Sequence, residues 1–304
     1  MDLSAKVADQ SLKARATRVA AIAAVYADEV DKAGRFPAEA IDALKSERLM
    51  GIQIPVDCGG EGRSTSEIAE LCTIIAQSCA ASAMIFAMHQ IKVSSLVSHG
   101  VDAGWHRTFM QKICSEQLLI GSATTEGGIG GNLRNSICAI EVEGDRCRLE
   151  KDATVISYGK HADAILITSR SHKDAPPTDQ VMTAFLKDQY TLEQTHVWDT
   201  LGMRGTCSDG FLFKGEAPAE QILPKPYAEI AAQSMLATRI SCGAHSGMAS
   251  RSMRSPRPRP SSAPPHARRP AQLLRASCIS QKCRASCRSF ARISKPAWAA
   301  MSRR

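Results

Sequence analysis

The sequence predicts an α+β fold in which an all-helical N-terminal domain is followed by an antiparallel β-barrel or sandwich. Up to Ile113 the apolar residues recur at steps of three and four, the period of a helix. Beyond Leu118 they alternate with polar residues, the period of a strand. A glycine-rich stretch, residues 122–136, separates the two patterns. We therefore expect a helical domain over residues 1–116 and a β domain over 117–225.

Five helices are predicted before the first strand. The first covers residues 11–33, and the second begins at Pro37, a residue suited to the first turn of a helix. The third opens with a capping box at residues 64–67. The apolar stretch 83–97 and a short segment from Trp105 predict the fourth and fifth.

The β domain is expected to open with a hairpin. Ile140 and Val142 alternate with polar neighbours, Gly144 and Asp145 form a turn, and the alternation resumes on the return strand. Short strands at this spacing are typical of a small barrel or sandwich. Further strands are predicted at residues 154–157, 164–169, 181–186 and 210–213.

The net charge of +8 is unevenly distributed along the chain. Residues 241–304 contain twelve Arg and two Lys but no Asp or Glu, whereas the first 240 residues carry a net charge of −6. The folded part is thus expected to be mildly acidic and without a specific nucleic-acid partner. The sequence has no run of eighteen apolar residues and no signal-peptide pattern, so we expect a cytoplasmic protein without a membrane partner.

The stretch 122–136 combines hydroxyl groups with glycines where a strand ends. Glycines permit positive φ and close approach of backbone N–H groups, which suits a flat cofactor with polar edges. The dinucleotide fingerprint is excluded because Leu133 occupies the position of its third glycine and no helical pattern follows. A glycine-rich loop without a ligand is the alternative. The residues concerned are Thr124, Thr125, Gly127, Gly128, Gly130 and Gly131.

Four segments, in order, resemble the acyl-CoA dehydrogenase family. They match its TEPGAGSD signature, its GxKxWITN segment, its LGMRG turn and its strand exit, at residues 123–132, 149–163, 201–206 and 217–224. The likeness extends over residues 5–240. It implies a third domain, a C-terminal helical bundle, of which only the start, residues 226–240, is recognisable.

The resemblance implies FAD as the cofactor. Thr125 matches the threonine that hydrogen-bonds the pyrimidine edge of the flavin, with Thr124 beside it. Ser157, preceded by Ile156, matches the residue whose hydroxyl and amide approach the N5 side. Gly131 stands where typical members have a serine that touches the pantetheine chain of the substrate. Hydroxyls that bond their own turn are the alternative for all of these positions.

The implied activity is FAD-dependent oxidation of the Cα–Cβ bond of an acyl-CoA thioester, as in fatty acid metabolism. Electron-transfer flavoprotein or oxygen would be the acceptor, and the full-length protein would be a homo-oligomer. Val155 replaces the aromatic residue that the family places near the flavin. Because flavin monooxygenases and nitroalkane oxidases share the fold, the resemblance leaves the substrate class open.

The family's reaction needs a carboxylate to take the α-proton, and that glutamate lies in the C-terminal domain. No equivalent is visible in this chain, so the catalytic residue is unknown and we expect little or no turnover. Glu126 lies near the flavin segment, but the matching glutamate of the signature has a structural role.

Three hypotheses account for residues 241–304. A frameshift in a GC-rich gene explains both the absence of acidic residues and the loss of the third domain, and is our first expectation. A basic arm that binds nucleic acid or acidic membranes, making the protein a non-catalytic remnant, is the second. The third is a metal site, which lacks any Cys-x2-Cys pair, so no metal is expected. Its ligands would be His266, Cys278, Cys283 and Cys287.

Overall fold

A computed structural model describes residues 11–100, 104–129, 132–235 and Thr238. The described part contains the five predicted helices, followed by seven strands. The helices are α1 (Leu12–Ala33), α2 (Ala38–Ser46), α3 (Thr65–Ala76), α4 (Ala80–His99) and α5 (Gly104–Glu116). The strands are β1 (Ile120–Ala123), β2 (Glu141–Glu143), β3 (Arg146–Ala153), β4 (Ala164–Arg170), β5 (Gln180–Leu186), β6 (Tyr190–His196) and β7 (Gly210–Pro218). A last turn of helix, α6 (Tyr227–Ile230), runs into a π-helical turn, Ala231–Met235.

The helix boundaries follow the predicted signals. α1 ends at Gly34, which adopts a left-handed conformation with φ 62°. α3 begins with the predicted capping box, in which the Ser64 hydroxyl accepts from the Glu67 N–H and the Glu67 carboxylate accepts from the Ser64 N–H. Among the described residues, α4 is long and apolar enough to cross a membrane by length and composition. Of its apolar 18-residue stretch, 72% is nevertheless buried inside the protein, as in a core helix.

The seven strands form two sheets, with strand orders β1-β4-β5 and β2-β3-β7-β6. The predicted hairpin is present as β2 and β3, and the pairings are antiparallel, with one exception. β1 pairs with β4 in parallel, at one edge of an otherwise antiparallel domain. The connection from β1 to β4 contains β2 and β3, which belong to the other sheet. The chain then returns to the first sheet, where β4 runs in the same direction as β1.

The two sheets pack on each other as a sandwich. β3 alternates between exposed and buried residues, and its inward side chains include Cys147 and Leu149. The ring of Phe213 on β7 meets that of Phe185 on β5 edge to face, with centroids 5.2 Å apart. The barrel or sandwich prediction is therefore resolved in favour of two layers.

The predicted strand at 154–157 does not form. The chain leaves β3 at Ala153, and Tyr158 has a left-handed φ of 44°, which a strand cannot contain. This prediction was wrong because the apolar Val155 and Ile156 mimic a strand while their backbone serves a turn.

The residues that follow α6 dock on α4. The Ser234 hydroxyl bonds the Ser95 hydroxyl at 3.3 Å, and the Thr238 hydroxyl bonds that of Ser94 at 3.1 Å. Residues 241–304, and with them the three hypotheses for the tail, lie outside the described residues. The domain boundaries remain predictions.

Candidate functional site

The glycine-rich loop after β1 lies beside the segment that follows β3. The Gly127 N–H donates to the Asp152 carbonyl oxygen at 3.3 Å. The Thr125 hydroxyl donates to the Val155 carbonyl oxygen, also at 3.3 Å. These bonds bring together the two segments in which cofactor-binding residues were predicted.

The segment after β3 also pairs with the stretch just before β7. The Ile156 N–H donates to the Asp209 carbonyl oxygen and the Tyr158 N–H to that of Thr206, each at 2.8 Å. These two backbone bonds flank Ser157 on both sides. The position of Ser157 is therefore fixed by its neighbours and does not depend on its own side chain.

Ser157 begins a chain of hydroxyl groups that leads inward. Its Oγ lies 2.8 Å from the Oγ of Ser208, which lies 2.8 Å from the Oγ1 of Thr206. The Thr206 hydroxyl ends the chain by donating to the Met203 carbonyl oxygen at 2.9 Å. Ser157 is half-buried, whereas Ser208 and Thr206 are buried, so only the first hydroxyl of the chain faces outward.

Left-handed backbone conformations concentrate around this chain. Of the five non-glycine residues with positive φ in the described part of the protein, Tyr158, Met203 and Cys207 lie here, with φ values of 44°, 56° and 44°. Such conformations cost roughly 1–3 kcal/mol each and persist where the surroundings enforce them. The buried Tyr158 hydroxyl, which donates to the Ile120 carbonyl oxygen at 3.0 Å, supplies one such restraint.

The predicted cofactor-binding residues differ in what they leave free. The Thr124 hydroxyl is half-buried and has no hydrogen-bond partner among the described residues. The Ser157 backbone N–H likewise has no partner there. Ile156 is fully buried and its N–H is already used, so it contributes to the turn alone. Gly131 lies outside the described residues, and the ligand roles of all these positions stay predictions.

Glu126 is buried and fully engaged in holding the glycine-rich loop closed. Its carboxylate accepts hydrogen bonds from the N–H groups of Ile137 and Cys138, at 2.8 and 2.9 Å, and from the Ser136 hydroxyl at 2.9 Å. Burial alone would raise the pKa of Glu126, but the Lys151 ammonium and these donors together hold that pKa below its usual value. Its role is therefore structural, as expected.

Asp209 anchors the loop that borders the site. One carboxylate oxygen accepts from the Trp198 N–H at 2.8 Å, and the other lies 3.5 Å from the Lys160 ammonium. The same loop exposes Val197 and Leu201 to solvent. Asp209 is thus committed to its own loop in the same way as Glu126.

Arg204 ties the LGMRG turn to the helical domain. Its Nε donates to the Asp31 carbonyl oxygen at the end of α1, at 2.8 Å. Its Nη1 bonds the Asp199 carboxylate at 3.0 Å and the Thr200 carbonyl oxygen at 3.2 Å. With these partners the guanidinium serves the turn itself.

A separate concave surface, with a volume of about 680 Å³, lies over the four-stranded sheet. It is lined by charged and polar side chains, including Arg148, Asp188, Lys214 and Glu216. Arg148 and Glu216 bond each other at 2.9 Å. None of the predicted site residues lines this surface.

The seven cysteines in the described part of the chain are free thiols. Within the same residues, no group of three or more His, Cys, Asp or Glu side chains is arranged to hold a metal ion. The predicted ligands of the third tail hypothesis fall outside that part.

Sequence reasoning missed the residues that support Ser157. Thr206, Ser208 and Asp209 adjoin the LGMRG turn, which was matched as a motif but not linked to Ser157. The alternation of polar and apolar residues gives no signal for a contact across 51 positions. The motif's place directly before β7 was the only available indication.

Comparison with known proteins shows which family the chain resembles. The family model for the N-terminal domain of acyl-CoA dehydrogenases matches residues 8–117. Mitochondrial isovaleryl-CoA dehydrogenase of Pongo abelii is 25% identical over 203 residues, or 65% of this chain and 48% of the relative. Over its N-terminal and middle regions the chain is similar to the acyl-CoA dehydrogenase family.

A second curated relative and a solved structure show the same similarity. Cyclohex-1-ene-1-carbonyl-CoA dehydrogenase of Syntrophus aciditrophicus is 25% identical and covers 64% of this chain and 47% of its own length. The chain thus spans about half the length of the curated relatives it matches. TdsC from Paenibacillus sp. A11-2, solved with FMN and indole, superposes with a TM-score of 0.67 at 20% identity, covering 78% of this chain and 60% of TdsC. That likeness shows the fold alone.

Proposed function

We propose that the segments around Thr124 and Ser157 bind the isoalloxazine ring of a flavin, and that this flavin is FAD. The observation that carries the proposal is unused hydrogen-bonding capacity on a half-buried surface, namely the Thr124 hydroxyl and the Ser157 N–H. A flavin ring is flat, with polar atoms on its edges, and such atoms need partners of this kind. The similarity to acyl-CoA dehydrogenases, which are flavin-dependent, supports the same assignment.

The proposed reaction is oxidation of the Cα–Cβ bond of an acyl-CoA thioester. A bound flavin would supply the two-electron acceptor, and this chain's residues would orient it. Gly131 would lie next to the substrate, and electron-transfer flavoprotein or oxygen would reoxidise the flavin. The two curated relatives described above are both named as dehydrogenases of CoA thioesters. Those names support this substrate class.

Of the carboxylates beside the proposed flavin segments, that of Asp152 is exposed to solvent, and those of Glu126 and Asp209 are already engaged. Glu126 and Asp209 are both bonded to backbone N–H groups and paired with lysines. The Lys151 ammonium and the backbone donors hold the pKa of Glu126 below its usual value, which makes it a poor proton acceptor. We therefore propose that turnover requires a base from outside the described residues and that this chain is impaired without one.

A flavin monooxygenase of the same fold is the second candidate. It is favoured by Val155, since the family's flat aromatic platform is missing at that position. A non-catalytic remnant whose basic tail binds polyanions is the third. If the full chain is retained on a polyanion column and carries no bound flavin, the result would favour the non-catalytic remnant.

The proposal is tested by the visible absorption of the full chain, expressed with excess riboflavin and desalted. We expect a flavin band near stoichiometric with protein, and release by heat should identify it as FAD. Thr124→Val should weaken flavin affinity about tenfold, the value of one net hydrogen bond. The matched control is Thr191→Val, on the exposed face of β6, which should leave affinity unchanged. A colourless protein that cannot be reconstituted would refute flavin binding.

The reaction class is tested on the flavin-loaded chain. Anaerobic bleaching by an acyl-CoA panel supports dehydrogenation. Formation of an oxygenated product by the reduced, flavin-loaded chain supports the monooxygenase class instead, because oxygen consumption alone would also follow simple reoxidation of the flavin.

A further inference from the structure

The hydroxyl chain that starts at Ser157 has a fixed direction of donation. A hydroxyl has one proton, and two oxygens within 3 Å need a proton between them. The Met203 carbonyl has no proton to give, so the Thr206 hydroxyl must donate across their 2.9 Å contact. The single proton of Thr206 is then spent.

The hydroxyls of Ser208 and Ser157 also have a fixed direction of donation. Because Thr206 has no proton left, Ser208 must donate across the 2.8 Å contact between their hydroxyls. Because Ser208 is then spent, Ser157 must donate to Ser208 across the next 2.8 Å contact. The outward-facing hydroxyl of Ser157 consequently has only lone pairs to offer a ligand.

We propose that Thr206 and Ser208 are positioning residues that make the Ser157 hydroxyl an obligate hydrogen-bond acceptor, so that the ligand atom facing it must carry a proton. This inference rests on the proposed flavin site, with Ser157 on the N5 side of the ring. There it predicts a preference between the two redox states of the flavin.

The preference follows from the protons on the ring. N5 of an oxidised flavin has a lone pair and no proton, so it and the Ser157 hydroxyl would present two acceptors to each other. N5 of a reduced flavin bears a proton that Ser157 can accept. The site should therefore bind the reduced cofactor more tightly than the oxidised one, which raises the midpoint potential of the bound flavin.

Two substitutions should allow the Ser157 hydroxyl to change its direction of donation while Ser157 itself is unchanged. In Ser208→Ala the Ser157 hydroxyl loses its inner acceptor and is free to donate outward. In Thr206→Val, the Ser208 hydroxyl loses its inner acceptor and can donate to the Ser157 hydroxyl. The direction of donation between Ser208 and Ser157 is then reversed. In both variants the affinity for oxidised flavin, relative to that for reduced flavin, should rise by about tenfold. For a two-electron couple this change lowers the midpoint potential by about 30 mV.

The measurement is the midpoint potential of flavin bound to the full chain, by equilibration with a reference dye, together with separate affinities for oxidised and reduced flavin. The matched control is Ser169→Ala, which removes a buried β4 hydroxyl with no hydrogen-bond partner among the residues that the structure describes. It should leave the potential within a few millivolts of the parent.

The outcomes separate this inference from the proposed function. Flavin bound by the parent, with potentials unchanged or raised in Ser208→Ala and Thr206→Val, would overturn the inference and leave flavin binding intact. Failure of the parent to bind any flavin would overturn both. If Ser208→Ala does not fold, the isosteric Thr206→Val decides the matter alone.

Discussion

The Nζ atom of Lys151 lies 3.9 Å from Oε1 of Glu126, and both side chains are shielded from solvent. The same ammonium donates to the Thr168 carbonyl oxygen at 2.6 Å. Lys151 belongs to β3 and Thr168 to β4, so one side chain joins the two sheets and neutralises the carboxylate that closes the glycine-rich loop. Burial lowers the pKa of Lys151, and Cys138 and Glu126 oppose that shift.

Replacing this lysine should expose the cost of an unpaired buried charge. Lys151→Met leaves the Glu126 carboxylate without its cation and the Thr168 carbonyl without its donor. We expect the free energy of unfolding to fall by about 3–5 kcal/mol in chemical denaturation. The control is Lys214→Met, whose ion pair with Glu150 is exposed, and it should cost less than about 1 kcal/mol. Equal losses in the two variants would contradict the structural role of the pair.

The capping box at the start of α3 supports a smaller prediction. Ser64→Ala removes the hydroxyl that accepts from the Glu67 N–H at 3.4 Å and donates to the Glu67 carboxylate at 2.7 Å. We expect a loss of about 1 kcal/mol in unfolding free energy. The same loss should follow Glu67→Ala, and the double variant should cost less than the sum, because the two residues bond each other. Additive losses would rule out the reciprocal cap.

Features set by local rules were predictable from the sequence. The capping box of α3, the glycine stop of α1 and the β2–β3 hairpin each depend on residues within a few positions of one another. Their hydrogen bonds are formed by the same residues that give the pattern. Period and turn chemistry therefore suffice for them.

Features set by distant partners were not predictable. Ser157 and Ser208 are 51 positions apart, and the parallel pairing of β1 with β4 spans more than 40 residues. Val155 and Ile156 have strand-forming side chains, yet the left-handed Tyr158 and the bonds to residues 206–209 impose a turn. Tertiary contacts override local preference there.

The LGMRG turn fits against the helices too closely to accept a larger residue. A Cβ atom on Gly205 would collide with Val30 of α1 and lie 3.1 Å from the Cβ of Ala81 on α4. Gly205→Ala should therefore lower the unfolding free energy by about 1–3 kcal/mol through overpacking. Flavin affinity should fall with it, because Thr206 is the next residue.

The control for this prediction lies in the same turn. A Cβ on Gly202 would meet no atom within 4 Å, and its φ is not positive. Gly202→Ala should change the unfolding free energy by less than about 0.5 kcal/mol. If both alanine variants proved neutral, the turn would have room to shift away from α1.

His89 makes the fold sensitive to acid. The Ile120 N–H donates to its Nδ1 at 3.0 Å, so that nitrogen must be unprotonated, and its Nε2 bonds the Met50 carbonyl oxygen at 2.8 Å. Burial lowers the pKa of His89 to about 4, an effect that the Met50 carbonyl and Asp163 oppose and Lys45 reinforces. The folded state thus binds this proton less readily than the unfolded state, whose histidine has its ordinary pKa of 6.5.

The sign of the pH effect follows from that difference. The stabilisation is fully present above pH 6.5 and is lost as the pH falls toward 4, because the unfolded state gains the proton first. Between pH 7.5 and pH 5 the unfolding free energy should fall by about 2 kcal/mol from this residue. Chemical denaturation at the two pH values measures the loss.

Other histidines contribute to the same trend, so a variant must isolate His89. His89→Gln keeps a side chain that can donate to the Met50 carbonyl and accept from the Ile120 N–H, but it does not titrate. It should be less stable than the parent at pH 7.5 and should lose about 2 kcal/mol less on acidification. A parent and a variant with the same pH dependence would mean that the imidazole is not the group that couples folding to protons.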